Sequence, residues 1–170
     1  MLSKLMISWR WGSPSNQKYS IEDPTSVLAT LYTGRTCIPT SSANGTCTLG
    51  SYPPYSVNVS TVSHIQLAVN FARNNNMRLV IKNTGHDYLG KSTGAGALSI
   101  WTHNLKSLTF ISNYTTSWYS GKAFKVGAGV QVGEIYEAAQ KNNVSVLGGI
   151  CHVSIEYPFL DFLLLEVFAH

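Results

Sequence analysis

The sequence predicts an α+β fold: a βαβ unit followed by further mixed strands and a second helix. Three observations lead there. Apolar β-rich runs of about five residues recur along the chain, two longer stretches repeat their apolar residues at helical spacing, and a glycine-dense loop leaves one of the runs.

Residues 1–49 are rich in loop-forming residues, with Pro14, Pro24 and Pro39, and hold one candidate helix at Thr25 to Thr33. They read as an N-terminal arm rather than a domain. Ser56 to Val59, after Pro53 and Pro54, is the first strand. Ser60 or Thr61 then N-caps a helix, because either hydroxyl can accept an early amide that has no partner in the helix. In that helix Val62, Ile65, Ala68, Val69 and Ala72 fall on one inward face, and Asn74 to Asn76 ends it. Arg78 to Lys82 is the next strand, closing a βαβ unit with a right-handed crossover. Strands are also expected at Leu98 to Trp101, Leu108 to Ile111 and Ala123 to Gly127. A second helix fits Val132 to Lys141, with Ile135, Tyr136 and Ala139 inward, before a strand at Val144 to Leu147.

Composition narrows the function classes. The chain has 170 residues, enough for one domain, and its charged share of 12% is about half the usual one. The net charge of +4 is scattered, without the basic stripe that a nucleic-acid groove needs, so no nucleic-acid partner is expected. No membrane partner is expected either: the apolar C-terminal stretch is too short to span a bilayer and carries Glu156, Asp161 and Glu166. His64 and His103 have no metal-ligand spacing with any cysteine and read as surface or cap residues; no metal site is expected. Glu134 and Glu137 lie on a polar helix face and read as solvated. The sequons at Asn44, Asn58, Asn113 and Asn143 point to the secretory pathway. Met1 to Trp11 is too short for a signal-peptide core, so an upstream start is expected.

The stretch from Arg78 to Gly96 carries the chemistry. Gly85, Gly90, Gly94 and Gly96 let the backbone turn sharply, so that successive amides can converge on an anion. One reading is a P-loop: Gly85, four residues, then Gly90, Lys91 and Ser92 match that pattern literally. That motif needs a helix to begin at the Lys and Ser, whose first amides complete the phosphate cradle. Gly94 and Gly96 oppose such a helix, and Leu98 to Trp101 reads as a strand.

The second reading makes His86 the working residue. Ile81-Lys-Asn-Thr-Gly-His-Asp-Tyr-Leu-Gly-Lys-Ser-Thr-Gly-Ala-Gly-Ala-Leu98, then Trp101-Thr-His-Asn-Leu-Lys106, Lys125-Val-Gly-Ala-Gly-Val130 and Val146-Leu-Gly-Gly-Ile-Cys151, stand in order. Together they resemble fungal FAD-linked oxidases of the berberine-bridge-enzyme type, in the vanillyl-alcohol-oxidase (VAO) superfamily with its PCMH-type FAD-binding domain. The resemblance spans about Cys47 to Cys151. It implies the N-terminal half of that domain over residues 50–152, and a covalent bond between His86 and the 8α-methyl carbon of the flavin. It further implies Asn83, Thr84, Gly85, Asp87, Tyr88, Leu89, Gly90 and Ser92 as FAD-binding residues around the diphosphate. Gly127, Gly129, Gly148 and Gly149 are cofactor-binding candidates on the same ground, and Cys151 is the candidate for a second, thioether attachment. A neutral imidazole and a thiolate are the nucleophiles such attachments require.

Cys37 and Cys47 enclose a short loop that a disulfide closes easily, and related oxidases carry a similar pair; two free thiols are the alternative. Residues 153–170 depart from the family pattern and are expected to be a tail unrelated to the domain, left by truncation or a gene-model artefact. The catalytic base and substrate domain of such oxidases would lie beyond the match, so no catalytic residue is nominated here. The resemblance implies a small-molecule substrate, an alcohol, sugar or amine, with oxygen as acceptor. A noncatalytic FAD-binding remnant is the alternative.

Overall fold

The computed structural model describes Gly34 and residues 49–148, together with the backbone of two strands, Met6–Ser8 and Leu163–Phe168. The chain divides into two compact units, Met1–Asn104 and Leu105–His170. The proposed helix at Thr25 to Thr33, the pairing of Cys37 with Cys47, Gly149 and Cys151 lie outside the described residues.

The first unit is built on a four-stranded sheet ordered β1-β2-β4-β3. Its strands are β1 (Met6–Ser8), β2 (Tyr55–Asn58), β3 (Leu79–Lys82) and β4 (Leu98–Trp101), with helix α1 (Val62–Asn74) between β2 and β3. β4 runs parallel to both β2 and β3, while β1 pairs antiparallel with β2. The βαβ unit is therefore present, but its two strands do not touch: β4 is inserted between them. All four residues of β4 are buried, as the middle strand of a covered parallel sheet requires. β1 was not expected, since the first 49 residues read as an arm without strands; Met6 and Ile7 nonetheless pair with Val57 and Ser56.

Thr61 caps α1, its hydroxyl accepting from the His64 amide at 3.3 Å. The expected inward face is only partly correct. Ala68 and Ala72 are buried, whereas Val69 is exposed and Val62 is 69% exposed. The helix buries its smallest side chains, which leaves a narrow stripe, and Val62 sits in the first turn.

In the second unit β5 (Leu108–Thr115) and β6 (Ser120–Val126) form an antiparallel hairpin, longer than the runs expected at Leu108 to Ile111 and Ala123 to Gly127. Between Ile111 and Tyr114 the register shifts by one extra residue on β5, a bulge that lets pairing continue beyond the apolar run. Phe110 and Phe124 face each other across the hairpin with ring centroids 5.1 Å apart. They join Val126, Val130, Ile135 and Ala139 in the core of this unit. Helix α2 (Val132–Lys141) has the expected bounds, but Tyr136 is 39% exposed rather than inward, while Ile135 and Ala139 are buried. β7 (Ser145–Val146) is shorter than expected. β8 (Leu163–Phe168), from the stretch set apart as a tail, pairs antiparallel with β6 and β7 in the order β5-β6-β8-β7. An apolar hexapeptide of this composition completes the backbone hydrogen bonding of two strands.

The turn after β6 is set by close approach. A Cβ on Gly127 would lie 2.2 Å from the Leu105 carbonyl oxygen, and the Gly127 amide donates to Ser107 O at 2.7 Å. Gly127→Ala is expected to destabilise the protein by about 1–3 kcal/mol through overpacking against backbone that cannot yield. A denaturant melt with an unchanged midpoint would refute this packing constraint.

Candidate functional site

β3 ends where the glycine loop begins, and the last residue of the strand is an unusual one. Lys82 is 1% exposed, on the same strand face as buried Val80. Its ammonium donates to the Asn83 carbonyl at 3.3 Å and lies 5.9 Å from the Trp101 ring centre. The Trp101 indole N–H donates to the same carbonyl at 3.1 Å. The carbonyl of Lys82 in turn accepts from the Thr102 amide at 2.8 Å and from its hydroxyl at 3.3 Å. Two successive peptide carbonyls are thus each held by two donors. His103 stacks on Trp101 with the rings 5.3 Å apart, so it is a half-buried packing residue rather than the surface or cap histidine expected.

Beyond this root the loop runs Thr84, Gly85, His86, Asp87. Thr84 and Gly85 are buried, and His86 and Asp87 are half-buried. Gly85 and Gly90 have φ of 77° and 68°, a left-handed geometry that an L side chain resists, which explains the glycines at these positions. Tyr88, 76% exposed, and Leu89 form the outer turn. Asp87 closes the loop: its carboxylate accepts from the amide and hydroxyl of Ser92, the amide at 3.2 Å, and from the Lys91 amide. On the return path the Thr93 hydroxyl donates to Ser51 O at 3.1 Å.

This geometry decides between the two readings of the loop. No helix starts at Lys91 and Ser92; the chain makes turns and enters β4. The two amides that a P-loop would turn toward phosphate are bound to Asp87 instead. By contrast, the amides of Thr84, Gly85, Asp87, Tyr88 and Leu89 make no hydrogen bond among the described residues. A run of backbone donors without acceptors, two of them on buried residues, fits an anionic group such as a diphosphate. Asn83, Thr84, Gly85, His86, Asp87, Tyr88, Leu89, Gly90 and Ser92 are therefore brought together in one closed loop. Within it Ser92 acts on Asp87.

The remaining candidates belong to the second unit. Gly127 and Gly129 form the turn after β6, where the Gly129 amide donates to Leu105 O at 3.1 Å. Gly148 lies under Tyr136, whose hydroxyl is 3.0 Å from where a Cβ would stand. Glu134 is not simply solvated. Its carboxylate accepts from the Gln131 amide at 2.6 Å in a capping box and pairs with Lys106 at 2.7 Å. His64 is a cap residue as expected, its ring nitrogen 3.4 Å from the Ser60 amide. Among the described residues no group of three or more His, Cys, Asp or Glu is placed to hold a metal ion, and no helix is long and apolar enough to cross a membrane.

The sequence profile of the FAD binding domain matches residues 53–152. The chain belongs to this FAD-binding family. Among curated relatives, the VAO-type flavoprotein oxidase VAO615 of Thermothelomyces thermophilus is 48% identical over 131 residues, covering 77% of this chain and 23% of that protein. The FAD-linked oxidoreductase ZEB1 of Gibberella zeae is 47% identical over 127 residues, 75% of this chain and 22% of its own length. The chain thus spans about a quarter of the length of the curated relatives it matches. The crystal structure of the VAO-type flavoprotein MtVAO615 from Myceliophthora thermophila superposes with a TM-score of 0.80 at 39% identity, covering 91% of this chain and 32% of that one. MtVAO713 from the same fungus gives 0.72 at 34% identity, covering 82% of this chain and 26% of its own. The α+β architecture is accordingly that of the FAD-binding domain of VAO-type flavoproteins, and the P-loop reading is set aside.

Lys82 and Trp101 are the residues that sequence reasoning missed. A lysine at the inward phase of an otherwise apolar strand was the available signal. Two outcomes follow for this FAD-binding domain. Lys91→Ala is expected to leave FAD affinity within about twofold and to reveal no ATP affinity to lose, by fluorescence titration; each good hydrogen bond lost would instead cost about 1 kcal/mol. Asp87→Ala removes a charged acceptor from three donors and is expected to raise amide exchange at Lys91 and Ser92 by on the order of tenfold or more. Unchanged exchange would mean that Asp87 does not close the loop.

Proposed function

We propose that this chain is the FAD-binding portion of a berberine-bridge-like VAO-type oxidase in which His86 carries the flavin covalently and Cys151 is the second attachment point. The observation that carries this reading is that the amides of Thr84, Gly85, Asp87, Tyr88 and Leu89, on either side of a half-buried histidine in a loop closed by Asp87, make no hydrogen bond among the described residues. Those amides bind the diphosphate, Gly85 and Gly90 supply the backbone geometry, and Asp87 keeps the cradle shut before the cofactor arrives. Such preorganisation removes an ordering cost from binding. When bound, FAD supplies the two-electron acceptor for oxidation of an alcohol, sugar or amine carbon, with oxygen as the final oxidant. The His86 imidazole would supply the nitrogen for a bond to the 8α carbon of the flavin, and the Cys151 thiolate the sulfur for the second attachment.

In this reading the substrate contacts and the catalytic base belong to the part of the relatives' length that residues 1–170 do not span, and these residues alone are expected to hold FAD without turning over substrate. Secretion with N-glycosylation is part of the same reading, supported by the sequons: Asn113 and Asn143 are exposed. Asn58, by contrast, accepts through its side-chain oxygen from the Asn104 side-chain Nδ2 at 2.7 Å.

The test is the fate of the flavin on denaturation. Wild-type protein is expected to keep yellow, in-gel-fluorescent flavin after acid precipitation and to show the mass of an FAD adduct on the peptide containing His86. His86→Ala is expected to lose that adduct unless Cys151 still holds the ring, and His86→Ala with Cys151→Ser to release all of it. Fully extractable flavin in the wild type would refute covalent attachment. Peroxide release by the isolated chain on any alcohol or sugar would refute its inactivity.

A further inference from the structure

We propose that Lys82 and Trp101 are positioning residues for His86, acting through the Asn83 carbonyl; this rests on the attachment at His86 proposed above. Burying an ammonium costs several kcal/mol unless its hydrogens are well used, and an aliphatic residue on the face shared with Val80 would fill the space without that cost. Lysine usually buries its stem and keeps its head in water. At 1% exposure Lys82 does not. Among its contacts the ammonium holds the first peptide after β3, jointly with the indole N–H.

The arrangement has a direction. Lys82 and Trp101 are register partners on adjacent parallel strands, and the His103 ring stacks parallel to the indole with the centroids 5.3 Å apart. Thr102, the next residue along, holds the Lys82 carbonyl through both its amide and its hydroxyl. Four donors therefore fix two consecutive peptide planes, and His86 follows three residues after Asn83 with only Thr84 and a left-handed Gly85 between. Rotation of the Asn83 peptide would swing everything beyond it. For a nucleophile that must meet one carbon atom this matters greatly, because misplacement by about 1 Å can cost on the order of 100-fold in rate. Diphosphate binding is more tolerant, since it is shared among several amides.

The inference therefore predicts a split between holding flavin and bonding it. Apoprotein of the intact chain, prepared from riboflavin-starved cells, is mixed with FAD; total bound flavin is read by desalting and attached flavin by what survives acid precipitation over time. Lys82→Met is expected to slow attachment by about tenfold or more while total bound flavin stays within about twofold. Trp101→Phe keeps a ring but loses the N–H, and is expected to slow attachment to a smaller degree; it decides the matter if Lys82→Met fails to fold. A purely structural role would lower bound and attached flavin in parallel in both variants, and that result would overturn the proposal. Attachment at the wild-type rate in folded Lys82→Met and Trp101→Phe would overturn it as well, leaving His86 as the attachment point intact. If the wild type itself forms no attached flavin, the His86 assignment fails first and the positioning role falls with it.

Discussion

The sheet of the first unit depends on one strand being buried on both faces. β4 contributes Leu98, Ser99, Ile100 and Trp101 to the interior and hydrogen-bonds β2 on one side and β3 on the other. Because β4 is reached only after the glycine loop, the loop must leave β3 and return beside it, which forces a reversal within fifteen residues, Asn83 to Ala97. That reversal creates the site. The loop is short enough to be closed by a single carboxylate and long enough to expose a series of amides along its inner run.

Charge placement then separates this loop from the phosphate loops its letters imitate. A glycine-rich segment ending in Lys and Ser offers donors in either case, but the donors near the C-terminal end are here consumed by Asp87. The donors left for a ligand sit at the N-terminal end, next to the histidine. An anion bound there would lie beside His86 instead of beside a helix dipole, and this difference in placement separates the loop from a P-loop.

Legibility in the sequence followed the type of force involved. The bounds of α2 were readable to the residue because the apolar period is a local signal, whereas the capping role of Glu134 was not read. β4 was readable as a strand, but its place in the middle of the sheet was not, since order across a sheet depends on pairings between distant segments. Val62, Val69 and Tyr136 matched the helical period and yet lie exposed, because periodicity gives the phase of a helix and not the width of its buried stripe. The loop's histidine and glycines were visible through the motifs around them. The grip of Lys82 and Trp101 on the Asn83 carbonyl was invisible, since it joins residues that come together only when β3 and β4 pair.

The strand that launches the loop also closes the sheet. β3 is hydrogen-bonded to β4 alone among the described residues, and Ile81, at 56% exposure, stands on it unprotected by a neighbour. An outer strand with an exposed isoleucine is a place where a strand from another molecule could add. Self-association through that edge would begin on the same short ribbon of backbone that carries the glycine loop.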